Sequence, residues 1–268
     1  MRIRPMEKND IASVISVINS HDEDDARDAA VEFEQFGAEC HWVADINGEV
    51  AGITGYRRIP ETIGSAYVSW TYVHAKHCRK GAGKKIFSHM LEHAENAGAE
   101  KLFVKVSNYV DDEGHTPYLA ATKLYEAFNF QCEVMSKDFY DVGEDQLIYS
   151  KRIVSEAQDE PKKLNEKPTI RFIDVFEIPE TNGAYTFSWA VKNKQLFKKR
   201  TFSVNDLYIG LDEVAARGGR IVFVTFLSNL PLIHSPLSEA GFKFIGQLED
   251  YYEPGIHELH FVHRMNDS

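Results

Sequence analysis

The sequence has little of three things that each indicate a class of protein: cysteine, long apolar runs and net positive charge. Three cysteines in 268 residues, widely spaced, do not suit a disulfide framework and favour a reducing, cytoplasmic setting. The longest mainly apolar run, Ile221–Leu227, has seven residues, whereas a membrane-spanning helix needs about 20. The charged N-terminus lacks the apolar stretch of a signal peptide. A formal net charge of −11 disfavours generic binding to nucleic acid or to anionic membranes.

What the sequence does contain is typical of a globular protein with a packed core. It is 43% hydrophobic and 26% charged, and its length suits one large domain or two small ones. Residues 154–168 are rich in charge and proline, so we expect a linker there. This divides the chain into residues 1–153, with 25 acidic and 17 basic residues, and residues 169–268.

The two parts share a repeated segment. A shift of 112 positions aligns Phe130–Arg152 with Phe242–Arg264 without a gap, and places Asp138–Gly143 over Asp250–Gly255. Each segment has two strand-like stretches of similar hydrophobic pattern, joined by an aromatic, acidic and glycine-containing turn. The sequence therefore predicts a duplication.

The first part is predicted to be an α/β domain of order β-α-(β-β)-β-α-β-α-β-β around a mixed sheet. Asn47 and Gly48 supply the positive φ angles of a type I′ hairpin turn. Apolar residues at helical spacing predict helices over Gly83–Ala97 and Tyr118–Phe128, and strands are expected at Ala66–His74 and Lys101–Val106.

One segment of the first part carries a signal for ligand chemistry. Lys76–Lys85 holds five cations and no acid, and two glycines flank Ala82 where the helix is expected to begin. Free N–H groups and the positive end of the helix dipole then favour an anion such as phosphate or pyrophosphate. A Walker loop would need a hydroxyl at Lys85, and a Rossmann fingerprint would need glycine at Ile86, so neither applies.

The surrounding motifs resemble those of the GNAT superfamily of N-acetyltransferases. In that family a strand ending in Val-x-Pro leads into Arg/Gln-x-x-Gly-x-Gly/Ala, and here Val73–Ala75 and Cys78–Gly83 occupy those places. The later signature Ala-x-x-Leu-Tyr-Glu-x-x-Gly-Phe appears as Ala121–Phe130. The resemblance covers residues 1 to about 153.

The resemblance implies direct attack of an amine on acetyl-CoA, with no covalent enzyme intermediate. The implied cofactor-binding residues are Tyr72, Val73, Arg79, Lys80, Gly81, Ala82, Gly83 and Lys84. A backbone N–H on the strand of Tyr72 and Val73 would stabilise the developing oxyanion. Tyr125 matches the family's usual acid, which protonates the leaving thiolate. The acceptor would be a primary amine of a small molecule or peptide.

Four residues depart from the family pattern. Cys78 replaces the Arg or Gln that opens the loop, Ala75 replaces proline, Asn129 replaces glycine, and Tyr118 stands where many members have asparagine. The basic surroundings of Cys78 would lower its thiol pKa. The backbone N–H groups that would bind phosphate do not depend on these side chains. The departures would therefore change the affinity for the cofactor without abolishing its binding.

Two features of the acceptor site stay open at this point. The candidates for the general base are Glu61, Tyr67, Tyr72, His74 and Glu126. The stretch His21–Gln35 holds seven acids against Arg27 alone. These acids either recruit a cationic acceptor, such as a polyamine, a basic antibiotic or a lysine-bearing peptide, or form a solvated face or mobile loop.

The second part is expected to be a truncated, degenerate GNAT-like domain without a cofactor loop. The basic stretch Lys192–Arg200 has no glycine, and Leu237 stands at the position aligned with Tyr125. Its expected role is packing: completing the sheet, shaping the acceptor cleft, or forming an oligomer contact such as a homodimer. His257, His260 and His263 would alternate between the faces of a strand, so we expect no metal site. The alternatives to an acetyltransferase are a non-catalytic acyl-CoA sensor and a nucleotide-binding regulator.

Overall fold

A computed structural model describes residues 1–153, 169–192 and 202–265, and the side chains of 1–153, 172–189 and 202–265. The predicted linker 154–168 and the basic stretch beyond Lys192 lie outside the described residues. The strands and helices, in chain order, are β1 (Arg2–Pro5), α1 (Ile11–Asn19), α2 (Glu23–Phe36), β2 (His41–Ile46), β3 (Glu49–Arg58), β4 (Ser65–Val73), α3 (Ala82–Asn96), β5 (Lys101–Ser107), α4 (Leu119–Ala127), β6 (Gln131–Asp141), β7 (Glu144–Arg152), β8 (Thr169–Glu177), β9 (Ala184–Lys192), α5 (Val204–Ala216), β10 (Ile221–Leu227), α6 (His234–Glu239), β11 (Lys243–Glu253) and β12 (Ile256–Arg264). This is the expected mixed α/β fold.

The chain packs as two compact units. The first contains Met1–Val104, His115–Gln131 and the segment that begins at Tyr149, and the second contains Lys105–Gly114, Cys132–Ile148 and the described residues from 169 onward. β5 and β7 therefore each run from one unit into the other. These units are defined by packing, so the division of the sequence into domains 1–153 and 169–268 stays a prediction.

In the first unit the strand order is β1-β2-β3-β4-β5. The β2–β3 hairpin turns through Asn47 and Gly48, whose φ angles of 57° and 85° are those of the predicted type I′ turn. β4 and β5 run parallel and, among residues of this unit, pair only at Ser65–Tyr67 with Lys101–Phe103. α1 and α2 pack on the sheet around the fully buried Val43, whereas α3 packs against β2, β3 and β4.

The helix α2 was expected only as an acid-rich stretch. Asp22 caps it by accepting hydrogen bonds from the N–H groups of Asp24 (2.9 Å) and Asp25 (3.0 Å). Its buried face consists of Ala26, Ala29 and Phe33 at helical spacing. Two of these three are small, so the apolar stripe hardly raises the mean hydropathy of the segment and is easily overlooked.

The second unit has the strand order β7-β6-β11-β12-β10-β9-β8. β9 and β10 run parallel and pair over three positions, Ala184–Thr186 with Ile221–Phe223. The core between this sheet and the helices α5 and α6 is unusually aromatic. Its aromatic members are Tyr185, Phe187, Phe202, Phe226, Phe242 and Phe261, with Phe172 and Trp189 packed against them.

The segments aligned at a shift of 112 have the same structure. β11 and β12 repeat the bounds of β6 and β7 at that shift. Asp138 and Asp250 both adopt positive φ (56° and 50°). Each accepts a hydrogen bond of 2.7 Å from the N–H of the glycine five residues later. A shared left-handed aspartate with the same hydrogen bond supports the duplication more strongly than a shared hydrophobic pattern.

A second repeat, overlooked in the sequence, precedes β4 and β9. Ile59-Pro-Glu-Thr-Ile-Gly64 and Ile178-Pro-Glu-Thr-Asn-Gly183 form the same turn at a shift of 119. In both, the threonine hydroxyl donates to the isoleucine carbonyl at 2.7 Å, and the glycine has positive φ. The change of shift from 119 to 112 hides this repeat from an ungapped comparison of the whole chain.

Candidate active site

A basic loop joins β4 to α3 where the sequence predicts an anion site. After a 3₁₀ turn at Ala75–His77, the backbone passes through Arg79 and Gly81, whose φ angles are 60° and 80°. Gly81 is the N-cap residue of α3, and no side chain caps this helix. The helix therefore keeps unsatisfied N–H groups and the positive end of its dipole at the loop.

The loop presents these N–H groups without obstruction. Those of residues 79–84 have no hydrogen-bond acceptor within the part of the chain that the structure describes. Gly81 is needed for its left-handed φ, but Gly83 is not, since a Cβ there would meet only Val73 Cγ2 at 3.5 Å, an ordinary contact. The missing side chain at Gly83 thus serves close approach to the helix end rather than folding.

The charges of the loop are divided between structural contacts and free cations. Lys76 pairs with Glu49, and Lys80 Nζ donates to the carbonyl of Lys76 at 3.0 Å. Arg79 and Lys84 are exposed and have no carboxylate partner among the described side chains. They can therefore supply charge to an anion held by the backbone N–H groups.

The sequence expectation for Cys78 is wrong in one respect. Its Sγ donates to the carbonyls of Val73 (3.3 Å) and His74 (3.6 Å) beneath the loop. Burial raises the pKa of this thiol, and the opposing effect of Arg79 is smaller. Cys78 is therefore a structural thiol and not an activated one.

β4 carries a bulge beside the loop. Gly55 pairs with Ser69 and Ile53 pairs with Tyr72, so that Thr54 alone lies opposite Trp70 and Thr71. A bulge leaves a residue out of the ladder, and this exposes peptide groups to a ligand alongside the strand. The predicted oxyanion donor, a backbone N–H of β4, lies on this distorted segment.

Tyr125 lies on α4 and points to the bulge. Its ring packs against Phe87 and Phe130, with centroids 5.6 and 5.8 Å away. Its hydroxyl hydrogen-bonds with the Thr71 side chain, and burial raises its pKa to about 12. The phenol therefore stays protonated at neutral pH, as a proton donor must.

Tyr72 faces the acidic helix α2. Its hydroxyl donates to Asp25 Oδ2. Burial raises the pKa of Asp25 above its usual value, and the neighbouring charges of Asp22 and Asp28 act in the same direction, while the Tyr72 bond opposes them. Burial and the Asp25 charge also raise the pKa of Tyr72.

A second phenol and a histidine lie close to Tyr72 and Asp25. Tyr118, at the N-cap of α4, donates to Asp22 Oδ2 at 3.3 Å. His21 Nε2 donates to the Val73 carbonyl at 2.8 Å, and its ring lies 6.0 Å from that of Tyr72. We call Asp22, Asp25, Tyr72 and Tyr118 the acid–phenol cluster. It joins α2, β4 and α4 on one side of the strand that carries the bulge.

The structure also locates the five candidates for the general base, of which Tyr67 is half-buried on β4 with its ring centroid 6.0 Å from that of Phe103. Glu61 and Glu126 are exposed, Glu61 in the turn before β4 and Glu126 on α4. His74 accepts from the N–H of Lys76 at 3.3 Å, and burial lowers its pKa. Of these candidates, Tyr72 has a carboxylate as its direct partner.

Sequence reasoning overlooked the individual roles of the acids on α2. Besides Asp25, Glu32 accepts from Trp70 Nε1 at 2.8 Å and pairs with Arg57. Asp25 and Glu32 are seven residues apart, which is two helical turns, and they bind alternate residues of β4. That spacing was visible in the sequence, but without a predicted helix it had no meaning.

The C-terminal counterpart of the loop helix differs in each of these features. α5 begins with a capping box, in which Ser203 and the buried Asp206 hydrogen-bond each other's backbone N–H groups. Trp189 of β9 aligns with Trp70 of β4 at the shift of 119 that relates the two turns. Its ring packs against Phe202 and Phe226, with centroids 5.1 and 5.2 Å away. The helix end is closed and the space beside the strand is filled.

The comparisons with known proteins agree with the N-terminal site. Residues 10–130 match the model of the acetyltransferase (GNAT) family. An uncharacterized N-acetyltransferase of Bacillus subtilis (strain 168), YsnE, is 33% identical over 105 residues, which are 39% of this chain and 62% of that relative. Through this region the chain is similar to the GNAT acetyltransferase family, and it spans less than two thirds of the length of that relative.

Solved structures show the same fold. A crystal structure of a Desulfovibrio desulfuricans protein assigned to the GNAT family has a TM-score of 0.50 and 24% identity, and the match covers 57% of this chain and 99% of that one. An aminoglycoside 6′-N-acetyltransferase complexed with coenzyme A also has a TM-score of 0.50, with 12% identity and 59% and 100% coverage.

Two further findings concern what the described part of the chain does not contain. None of its helices is long and apolar enough to cross a bilayer. No cluster of three or more histidine, cysteine or acidic side chains in that part could hold a metal ion. His257 and His260 have other partners, the N–H of Asp250 and the carboxylate of Glu258.

Proposed function

We propose that the N-terminal half, residues 1–153, transfers an acetyl group from acetyl-CoA to a primary amine. The observation that carries this proposal is the pairing of an uncapped, glycine-opened helix end with a protonated, buried tyrosine at a strand bulge. The first feature fits a pyrophosphate and the second fits a leaving thiolate. The match of residues 10–130 to the acetyltransferase (GNAT) family model also supports this proposal.

The binding roles follow from the loop. The N–H groups of residues 79–84 would hold the pyrophosphate, with Arg79, Lys80 and Lys84 around it. The backbone of Tyr72 and Val73 would hold the pantetheine arm alongside β4. An exposed peptide N–H at the bulge would stabilise negative charge on the thioester oxygen as the amine attacks.

The chemical step needs one proton at the sulfur. As the amine nitrogen bonds to the carbonyl carbon, the carbon–sulfur bond breaks and the sulfur takes the hydroxyl proton of Tyr125. The nitrogen loses one proton as it becomes an amide, and that proton restores the Tyr125 hydroxyl through solvent. The pKa of about 12 means that the phenol carries its proton at neutral pH, which is the form that can donate.

The half-buried acids of α2 favour an acceptor that carries positive charge. Asp22 and Asp28 flank Asp25 on the side of the helix that faces Tyr72. Their charges would attract a cationic amine, whereas most other acids of α2 have structural roles, such as the ion pairs of Glu23 and Asp24 with Arg27.

The deciding experiment measures thiol release from acetyl-CoA across a panel of amines, with Tyr125→Phe as the test variant. We expect kcat to fall about 100-fold in this variant, the lower range for loss of a general acid, while the Kd of acetyl-CoA changes little. Tight binding of acetyl-CoA with no turnover of any amine by the native protein would instead favour an acyl-CoA sensor.

A further inference from the structure

We propose that Tyr72 and Asp25 form the relay that removes the proton from the acceptor, and that the acceptor is therefore a strongly basic amine that arrives as an ammonium ion. This inference rests on the proposed function. It assigns the base that the sequence left open, and it places the proton acceptor on α2 rather than on the strand.

The geometry sets the order of the two groups. Tyr72 follows directly after the bulge of β4, and its hydroxyl donates to Asp25 Oδ2. The phenol oxygen donates its single hydrogen to the carboxylate, so its lone pairs remain to accept a hydrogen bond from an N–H group. Tyr72 thus faces the acceptor, and Asp25 acts through it.

The proton balance needs no further reactant. The ammonium N–H bond breaks as its proton moves to the Tyr72 oxygen, and the original hydroxyl proton of Tyr72 moves to Asp25 Oδ2. The amine keeps the electron pair that attacks the thioester, and Asp25 ends as a neutral acid. It returns its proton to solvent through the same phenol after the acetylated product leaves.

The surroundings favour this direction of transfer. Four titratable groups surround the pair: His21, Asp22 at the N-cap of α2, Asp28 on α2, and Tyr118 at the N-cap of α4. The helix α1 contributes no titratable side chain. The two nearby acids and burial raise the pKa of Asp25, which makes it a stronger base than an exposed aspartate. The phenol keeps its own proton when no substrate is bound, because its pKa is raised as well.

The test compares Asp25→Asn with native protein on amines of graded basicity at pH 7.5. An asparagine oxygen still accepts from Tyr72, so the contact and the fold are preserved. We expect kcat/KM to fall about 30-fold or more for amines of pKa above 9, and by less than about threefold for amines of pKa below 7, which already lack the extra proton. Tyr72→Phe should give the same graded pattern, and the double variant should be no worse than either single one.

The matched control is Asp24→Asn, the same substitution one residue earlier on an exposed side chain that pairs with Arg27. It should leave all amines unaffected. An equal loss in Asp25→Asn for strongly and weakly basic amines would overturn the relay and indicate a purely structural role for Asp25. So would unchanged activity of Asp25→Asn on all amines, although the native turnover would still establish the acetyltransferase.

Failure of the proposed function looks different. If the native protein binds acetyl-CoA by calorimetry but turns over no amine, the transferase function and the relay both fall. If Asp25→Asn binds acetyl-CoA as the native protein does, and loses activity only on basic amines, both stand.

Discussion

The N-terminal and C-terminal halves contain two helices in equivalent places, α3 and α5, that begin in opposite ways. α3 starts at Gly81 with no side-chain cap, next to a cluster of lysines and Arg79. α5 starts at Ser203 with a capping box, in which the buried Asp206 carboxylate accepts from the Ser203 N–H at 3.0 Å and the Ser203 side chain accepts from the Asp206 N–H. The N-terminus of α3 is therefore open to an external anion, whereas the N-terminus of α5 already has the Asp206 carboxylate in its capping box.

The space beside the neighbouring strand shows the same contrast. In the N-terminal half, Tyr125 meets Thr71 at the bulge of β4. In the C-terminal half, Leu237 stands in place of Tyr125, and Trp189 of β9 packs against the edge of Phe202. In the turns and strand pairs that the two halves share, the difference therefore lies in a few side chains, although the described C-terminal residues contain no counterpart of β1, α1, α2 and β2. We therefore expect one acetyl-CoA per chain.

The largest expected effect comes from placing a carboxylate at the N-terminus of α3, as Asp206 does at the N-terminus of α5. Gly83→Asp places a carboxylate in the first turn of α3, where φ and space both allow a side chain. The helix should be unharmed or slightly stabilised, because an acid near its N-terminus is favourable. Binding of acetyl-CoA should weaken about 100-fold or more through repulsion of the pyrophosphate.

Calorimetric titration measures that effect, and Gly83→Ala separates charge from bulk. If Gly83→Asp binds acetyl-CoA as tightly as the native protein, the loop does not hold the pyrophosphate. A native stoichiometry of two would show that the C-terminal half binds as well, contrary to its filled cleft.

The same contrast explains how much the sequence revealed. The hairpin at Asn47 and the start of α3 at the basic loop were predictable because each depends on a local motif with a defined spacing, whereas the roles of the loop and of Tyr125 stay predictions. α2 and its contacts were not predictable, because a helix of acids and alanines has a weak apolar stripe, and the partner of Asp25 lies 47 residues away on β4. The bulge of β4 also escaped prediction, since it depends on register with β3.

A second prediction concerns a group that only the N-terminal half has. His41 of β2 is buried, its ring bonds Ser69 Oγ (2.9 Å) and the Glu39 carbonyl (2.8 Å), and burial lowers its pKa to about 4. The unfolded chain binds a proton below about pH 6.5, while the folded state stays neutral down to about pH 4. Stability should therefore fall as the pH drops through this window, by at most about 3 kcal/mol.

Urea denaturation of native protein and of His41→Gln at pH 7 and pH 4.5 measures this loss. The variant is less stable at pH 7, but its difference from native protein should shrink at pH 4.5. Fluorescence of Trp42, beside His41, reports the N-terminal half. A constant difference between the two proteins at both pH values would contradict the assignment of acid sensitivity to His41.

The smallest expected effect concerns the capping box of α5. Asp206→Ala removes the carboxylate that accepts from the Ser203 N–H and hydroxyl, and should cost about 1–2 kcal/mol of unfolding free energy, while the Kd of acetyl-CoA stays unchanged. Asp212→Ala on the same helix, outside the capping box, controls for loss of an acid. We expect that Asp206→Ala does not create a second acetyl-CoA site. The aromatic rings beside β9 would still fill the space that a pantetheine arm needs. A second equivalent of acetyl-CoA bound by Asp206→Ala would show that the cap alone closes this half, and that the aromatic filling is secondary.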